Sequence, residues 1–149
     1  MPSVLPKQAK IAEVSGFILE RTAKRMKQFF QAQLTLAAAD ITIDQWIVLQ
    51  VLDSGIAKSQ YEIAQQTFKD APTVTRILDL LAQKQLIARE DDPDDRRRYN
   101  VRLTAEGRQK IDTIFPVIRD ARLQAWEGLD DDEVDTLVSL LDKIFENLK

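Results

Sequence analysis

Between Ser59 and Thr104 the spacing of apolar residues changes from the helical period to the strand period, and few folds accommodate that order in so short a stretch. Ser59 stands three residues before Glu62, the spacing of a capping box, and predicts the start of a short helix. Asp70 predicts a second start, with Pro72 tolerated in the first turn. Val74, Ile77, Leu78 and Leu81 then recur at i, i+3, i+4 and i+7, one inward stripe. From Leu86 to Glu90 and from Tyr99 to Leu103 the pattern differs. Tyr99, Val101 and Leu103 alternate with Asn100 and Arg102, as a half-buried strand requires. The polar run Asp91–Arg98, with Pro93 inside it, predicts a long charged hairpin tip.

Two short helices joined by a brief turn, followed by a hairpin, describe a winged helix-turn-helix. The flanks are helical. From about Lys7 to Ala37 no proline interrupts a near-helical recurrence of apolar residues, which predicts one long helix. Thr42 and Gln45 predict a capped, buried helix that ends at Ser54-Gly55. Thr104 predicts the start of a helix to about Trp126, kinked at Pro116 and stopped by Gly128. Asp130 and Glu133 open a last helix whose apolar face runs from Val134 to Leu148. The expected fold is mainly α with a small β-hairpin wing. Residues 39–109 form the winged helix-turn-helix, and residues 1–38 with 110–149 form a helical dimerisation region. A homodimer is expected because the terminal helices carry more apolar surface than the winged region covers.

The chain of 149 residues has neither cysteine nor histidine. Disulfides, thiol nucleophiles, the usual general base and the commonest zinc ligand are therefore absent. No nucleophile–base constellation is left, so an enzyme is not expected, and neither is a cofactor or a metal. Asp91, Asp92, Asp94 and Asp95 lack the glycine and distant glutamate of a calcium loop. No apolar run approaches a membrane span and no signal peptide is evident, so a cytoplasmic protein without membrane contact is expected. The net charge of −3 argues against indiscriminate coating of nucleic acid. The charge is unevenly spread: +3 over residues 1–40, zero over 41–110 and −6 over 111–149. The densest basic cluster is Arg96-Arg97-Arg98, with Arg89 and Arg102 close in sequence.

With the stripe of the second helix turned inward, Thr75, Arg76, Asp79 and Gln83 face outward and Thr73 lies at the flank. Hydroxyl and guanidinium groups then cluster at the positive end of the helix dipole, suited to the major groove of double-stranded DNA. Arginine reads guanine bidentately, and a threonine methyl contacts thymine. Arginines on the wing suit the backbone or a narrow minor groove. The competing assignments are a merely solvated hairpin tip and plain helix-start threonines. At the level of function, the alternative is a winged-helix adaptor that contacts proteins and not DNA.

Three motifs resemble the MarR (multiple antibiotic resistance regulator) family of transcription regulators. They are Glu62-Ile63-Ala64, Thr73-Val74-Thr75-Arg76-Ile77-Leu78, and Asp92-Pro93-Asp94-Asp95-Arg96-Arg97 leading to Val101-Arg102-Leu103-Thr104-Ala105-Glu106-Gly107. The resemblance implies a homodimer on a pseudo-palindromic operator, often a repressor released by a small phenolic or aromatic anionic effector. It implies that Thr73, Thr75 and Arg76 face the major groove. On the wing it implies Arg97 at the tip, Asp95 bracing it and Arg96 on phosphate, while Arg98 is an additional basic residue. For an effector, Phe17, Trp46 and Phe115 are candidate apolar walls and Arg21 or Arg25 a counter-charge. Simple packing or solvent exposure is the competing assignment for all five. The turn Thr67-Phe68-Lys69 departs from the glycine common in the family, which puts the conformation of that turn in question.

Overall fold

The structure, a computed structural model, describes residues 16–149. In chain order it contains α1 (Phe17–Leu36), α2 (Ile43–Val51), β1 (Lys58–Ser59), α3 (Gln60–Thr67), α4 (Ala71–Gln83), β2 (Ile87–Asp91), β3 (Tyr99–Leu103), α5 (Ala105–Ala125) and α6 (Asp131–Asn147). The part of the expected first helix from Lys7 to Ser15 lies outside the described residues.

Local chemistry sets most boundaries. Thr42, Ser59 and Asp130 each accept a hydrogen bond from the backbone N–H three residues on, and Gln45, Glu62 and Glu133 return the bond to the cap. Asp70 and Thr104 cap α4 and α5 in the same way, through the N–H groups of Thr73 and Gly107. Helix α5 passes through Pro116 without a break.

The hairpin pairs Ile87 with Leu103 through to Asp91 with Tyr99, antiparallel. Strand β1 has no counterpart in the sequence reading. It pairs Lys58 with Val101 and Ser59 with Asn100, which makes a three-stranded sheet in the order β1-β3-β2. Two residues are too few to show a period in the sequence.

The core sits where α2, α3, α4 and the sheet meet. Trp46, Leu49, Ile63, Leu78, Leu81 and Val101 are all buried there. A second contact runs along α1 and α5, where Leu34 of α1 and Ile111, Ile114 and Ile118 of α5 are buried. Gly107 explains how α5 can start so close to the sheet. A Cβ built on it would lie 2.1 Å from the carbonyl oxygen of Leu86. That oxygen also accepts the Thr104 N–H at 3.2 Å. Helix α6 contrasts with the rest: none of its residues is buried.

Candidate nucleic-acid interface

Helix α4 buries Val74, Ile77, Leu78 and Leu81 as its spacing predicts. The opposite side exposes Thr75, Arg76, Asp79 and Gln83, and Thr73 is half-buried at the flank. Asp70 caps this end. The Thr73 N–H donates to its carboxylate at 2.8 Å, and that hydrogen bond holds the Asp70 pKa below the ordinary carboxylate value, with nearby Arg76 adding to the effect. Thr75 is already occupied on its polar side. Its hydroxyl donates to the Ala71 carbonyl at 3.0 Å and accepts from the Gln60 side-chain amide. What Thr75 presents outward is therefore mainly its methyl group. Gln60, at the start of α3, was not singled out in the sequence, since its contact with Thr75 spans 15 positions.

The wing loop is built by its aspartates. Asp92 accepts from the Asp94 N–H and Asp95 from the Arg97 N–H, each at 2.9 Å, two local turns in which a side chain replaces a backbone acceptor. The Asp92 N–H closes the loop on the Arg98 carbonyl at 3.1 Å. Asp95 thus braces the backbone at Arg97. Its side-chain ion pair goes to Arg98, at 3.7 Å, and not to the guanidinium of Arg97.

The arginines that lie close in sequence separate in space. Arg89 pairs with Asp79 at 2.6 Å and ties β2 to the exposed side of α4. Arg102 pairs with Glu90 across the hairpin at 2.7 Å, and Arg108 pairs with Asp53. Arg76, Arg96 and Arg97 are exposed, and no carboxylate among the described residues lies within 4.0 Å of them. Of the arginines near one another in sequence, Arg89 and Arg102 are thus paired at the base of the wing and Arg98 is paired within its loop, while Arg96 and Arg97 at the tip have no carboxylate among the described residues within 4.0 Å.

The turn that delivers α4 is unusual. Phe68 is left-handed, φ 56° and ψ 36°, a conformation that favours glycine and costs a bulky residue about 1 kcal/mol or more. The departure from glycine therefore leaves the turn intact. The Phe68 ring meets Phe145 of α6 edge-on, with centroids 5.5 Å apart. The next residue, Lys69, places its ammonium 2.8 Å from Asp44 on α2, and Asp44 also holds Lys27 of α1 at 3.0 Å. Partial burial works to raise the Asp44 pKa, but the hydrogen bonds and charges of the two lysines outweigh it and hold the value below normal.

The five residues considered for an effector do not converge. Trp46 is 1% exposed in the core, and its indole N–H meets no acceptor among the described residues. Phe17 and Phe115 are exposed and line no described cleft together with it. Arg21 and Arg25 do share one, a cleft of about 570 Å³ formed with Thr22, Met26 and Phe29 of α1 and with Gln124 and Ala125 at the end of α5.

Residues 39–98, which include the helix pair and most of the hairpin, match the model of the MarR family. Over that segment the chain is similar to the MarR family. Among curated relatives, the HTH-type transcriptional repressor IacR of Pseudomonas putida is 28% identical over 114 residues, 76% of this chain and 68% of its own length. The structure of a mutant MarR from E. coli, complexed with operator DNA, superposes with a TM-score of 0.79 at 26% identity, covering 87% of this chain and 91% of that one. Bordetella bronchiseptica BpsR, whose DNA binding is regulated by 6-hydroxynicotinic acid, superposes with a TM-score of 0.78 at 29% identity, covering 87% of this chain and 96% of its own. The mainly helical fold with its three-stranded antiparallel wing is that of the MarR family. No helix among the described residues is long and apolar enough to cross a membrane.

Proposed function

We infer that this protein is a DNA-binding transcriptional regulator that acts as a homodimer on a pseudo-palindromic operator, in the role of a repressor. One observation carries the reading. Arg76, Arg96 and Arg97 stand exposed with no carboxylate among the described residues within 4.0 Å, on two elements that the Arg89–Asp79 pair holds side by side. Buried or paired arginines serve structure, whereas uncommitted ones on a helix and an adjoining wing suit a polyanion. In this reading Thr73, Thr75 and Arg76 enter the major groove, with Arg76 on a base edge and the Thr75 methyl against a pyrimidine. The wing, through Arg96, Arg97 and Arg98 on a loop held by Asp95, follows the backbone or enters the minor groove. The winged head is assigned to residues 39–109, and the dimerisation region to residues 1–38 with 110–149. The partner of α6 is then a second copy of the chain, since Val138, Leu141, Ile144 and Phe145 are left uncovered.

The bound state of the E. coli relative and the ligand response of BpsR support this role. The Arg21–Arg25 cleft between α1 and α5 suits a small aromatic carboxylate, with Phe29 and Met26 as its apolar side. Such a ligand releases DNA only if it favours a different spacing of the two heads, and DNA must then weaken the ligand by the same factor. Selection of duplexes from a randomised pool, followed by salt titration, tests the DNA assignment. A recovered two-fold-related motif with a steep salt slope is expected. Recovery of no motif, with Arg76→Ala and Arg97→Ala leaving activity in the cell intact, favours the protein-contacting adaptor. Titration of 6-hydroxynicotinate and salicylate into the complex tests the effector; equal ligand affinity with and without duplex rules out the switch.

A further inference from the structure

Two consecutive residues of the turn before α4 connect it to the two helical arms, one directly and one through α2. Phe68 meets Phe145 of α6, and Lys69 meets Asp44, whose second oxygen is held by Lys27 of α1. We propose that this turn is clamped by both arms, so that Asp44 and Phe145 are positioning residues that set the angle at which α4 presents Thr73, Thr75 and Arg76. The inference rests on the DNA-binding reading above.

Phe68 gives the clamp its purpose. The left-handed Phe68 is closed locally by the Lys69 N–H on the Ala64 carbonyl at 3.2 Å, and its ring, 78% exposed, reaches out of the turn to Phe145 of α6. Asp70, the cap of α4, comes two residues later, so a shift of the turn moves the start of the helix. The Lys69 side chain is only 16% exposed, and both oxygens of Asp44 are engaged, one by the turn and one by α1. A movement of α1 against the head therefore pulls on the same carboxylate that holds the turn. The ring contact gives α6 a separate hold one residue earlier.

Charge gives the test a sign. Asp44→Asn removes a negative charge from the head, and electrostatics alone then raises affinity for any duplex. The clamp predicts the opposite for the preferred one. The probes are a duplex selected from a randomised pool with the wild-type protein and a scrambled duplex of the same composition. Asp44→Asn is expected to lower the selected-to-scrambled affinity ratio by about three- to tenfold while scrambled binding stays level or rises. Phe145→Leu, which keeps apolar bulk on α6, is expected to lower the ratio similarly when both affinities are read at protein concentrations where light scattering gives the dimer mass. Lys69→Arg and Phe145→Tyr are expected to retain it. Should Asp44→Asn not fold, Phe68→Gly reads the clamp from the turn itself, because glycine keeps the left-handed backbone without the ring. A wild-type ratio in Asp44→Asn, Phe145→Leu or Phe68→Gly overturns the clamp and leaves the DNA reading standing. Failure to select any duplex defeats the DNA reading itself, and the clamp with it.

Discussion

Helices α4 and α6 carry the same kind of apolar stripe and meet opposite fates. In α4, Val74, Leu78 and Leu81 are fully buried by the chain's own sheet and neighbouring helices. In α6, Val138, Leu141, Ile144 and Phe145 remain 37–48% exposed, and no residue of the helix is buried. Amphipathic spacing states that a face needs covering; it does not state which molecule covers it. One face is satisfied by folding, whereas the other is left for assembly.

The largest effect separates these cases directly. Leu78→Ala is expected to cost ~2–5 kcal/mol of folding stability, independent of protein concentration in urea melts. Leu141→Ala should instead lower the melting temperature in a way that deepens on dilution. Equal, concentration-independent losses break the contrast. Leu141→Glu sharpens it: light scattering should fall from about twice 17.0 kDa toward 17.0 kDa, with operator affinity lost as well. A stable dimer in this variant removes α6 from the interface.

Gly107→Ala probes the head alone. Its Cβ would strike the Leu86 carbonyl, so a loss of ~1–3 kcal/mol is expected with the dimer mass unchanged. Arg76→Ala should weaken the preferred duplex by ~1–3 kcal/mol and relax base preference. Arg97→Ala should weaken all duplexes more evenly and reduce the salt slope by about one unit. Unchanged affinity and preference in Arg76→Ala would remove α4 from base reading.

The smallest effect concerns pH. Asp70 and Asp44 both have depressed pKa values in the folded chain. Their contributions are complete above the unfolded value of about 3.9 and are lost as pH falls through the lower folded values. Stability should hold through pH 5 and decline below about pH 4. Asp70→Asn, which keeps a capping oxygen, should flatten that decline slightly; an unchanged acid limb counts against the Asp70 share.

The sequence made legible what local rules govern. The caps Thr42, Ser59, Asp70, Thr104 and Asp130 appear as read, as do the stripe of α4 and the alternation of β3. What escaped it depends on distance along the chain. Pairing of Lys58 with Val101 spans the whole helix pair, and the Lys69–Asp44 bond spans 25 positions. The leucine-threonine start of α5 was visible as a motif, but the need for Gly107 became apparent only from the approach of Leu86. Arg89 and Arg102 lie beside the wing arginines in sequence, and only the structure shows Asp79 and Glu90 pairing with them. Trp46 reads as core before cleft wall, and burial places it in the core.

Ser59 belongs to two elements at once. It pairs with Asn100 in the sheet, and its hydroxyl caps α3 by accepting the Glu62 N–H at 3.1 Å. The consequence is kinematic. The base of the wing does not pivot without unseating the cap, and Arg89 pins the same hairpin to α4. Each head therefore swings as one stiff lever, with its readers fixed relative to one another. A displacement that reaches the turn before α4 therefore carries the wing along with the helix, because the Arg89–Asp79 pair couples the two.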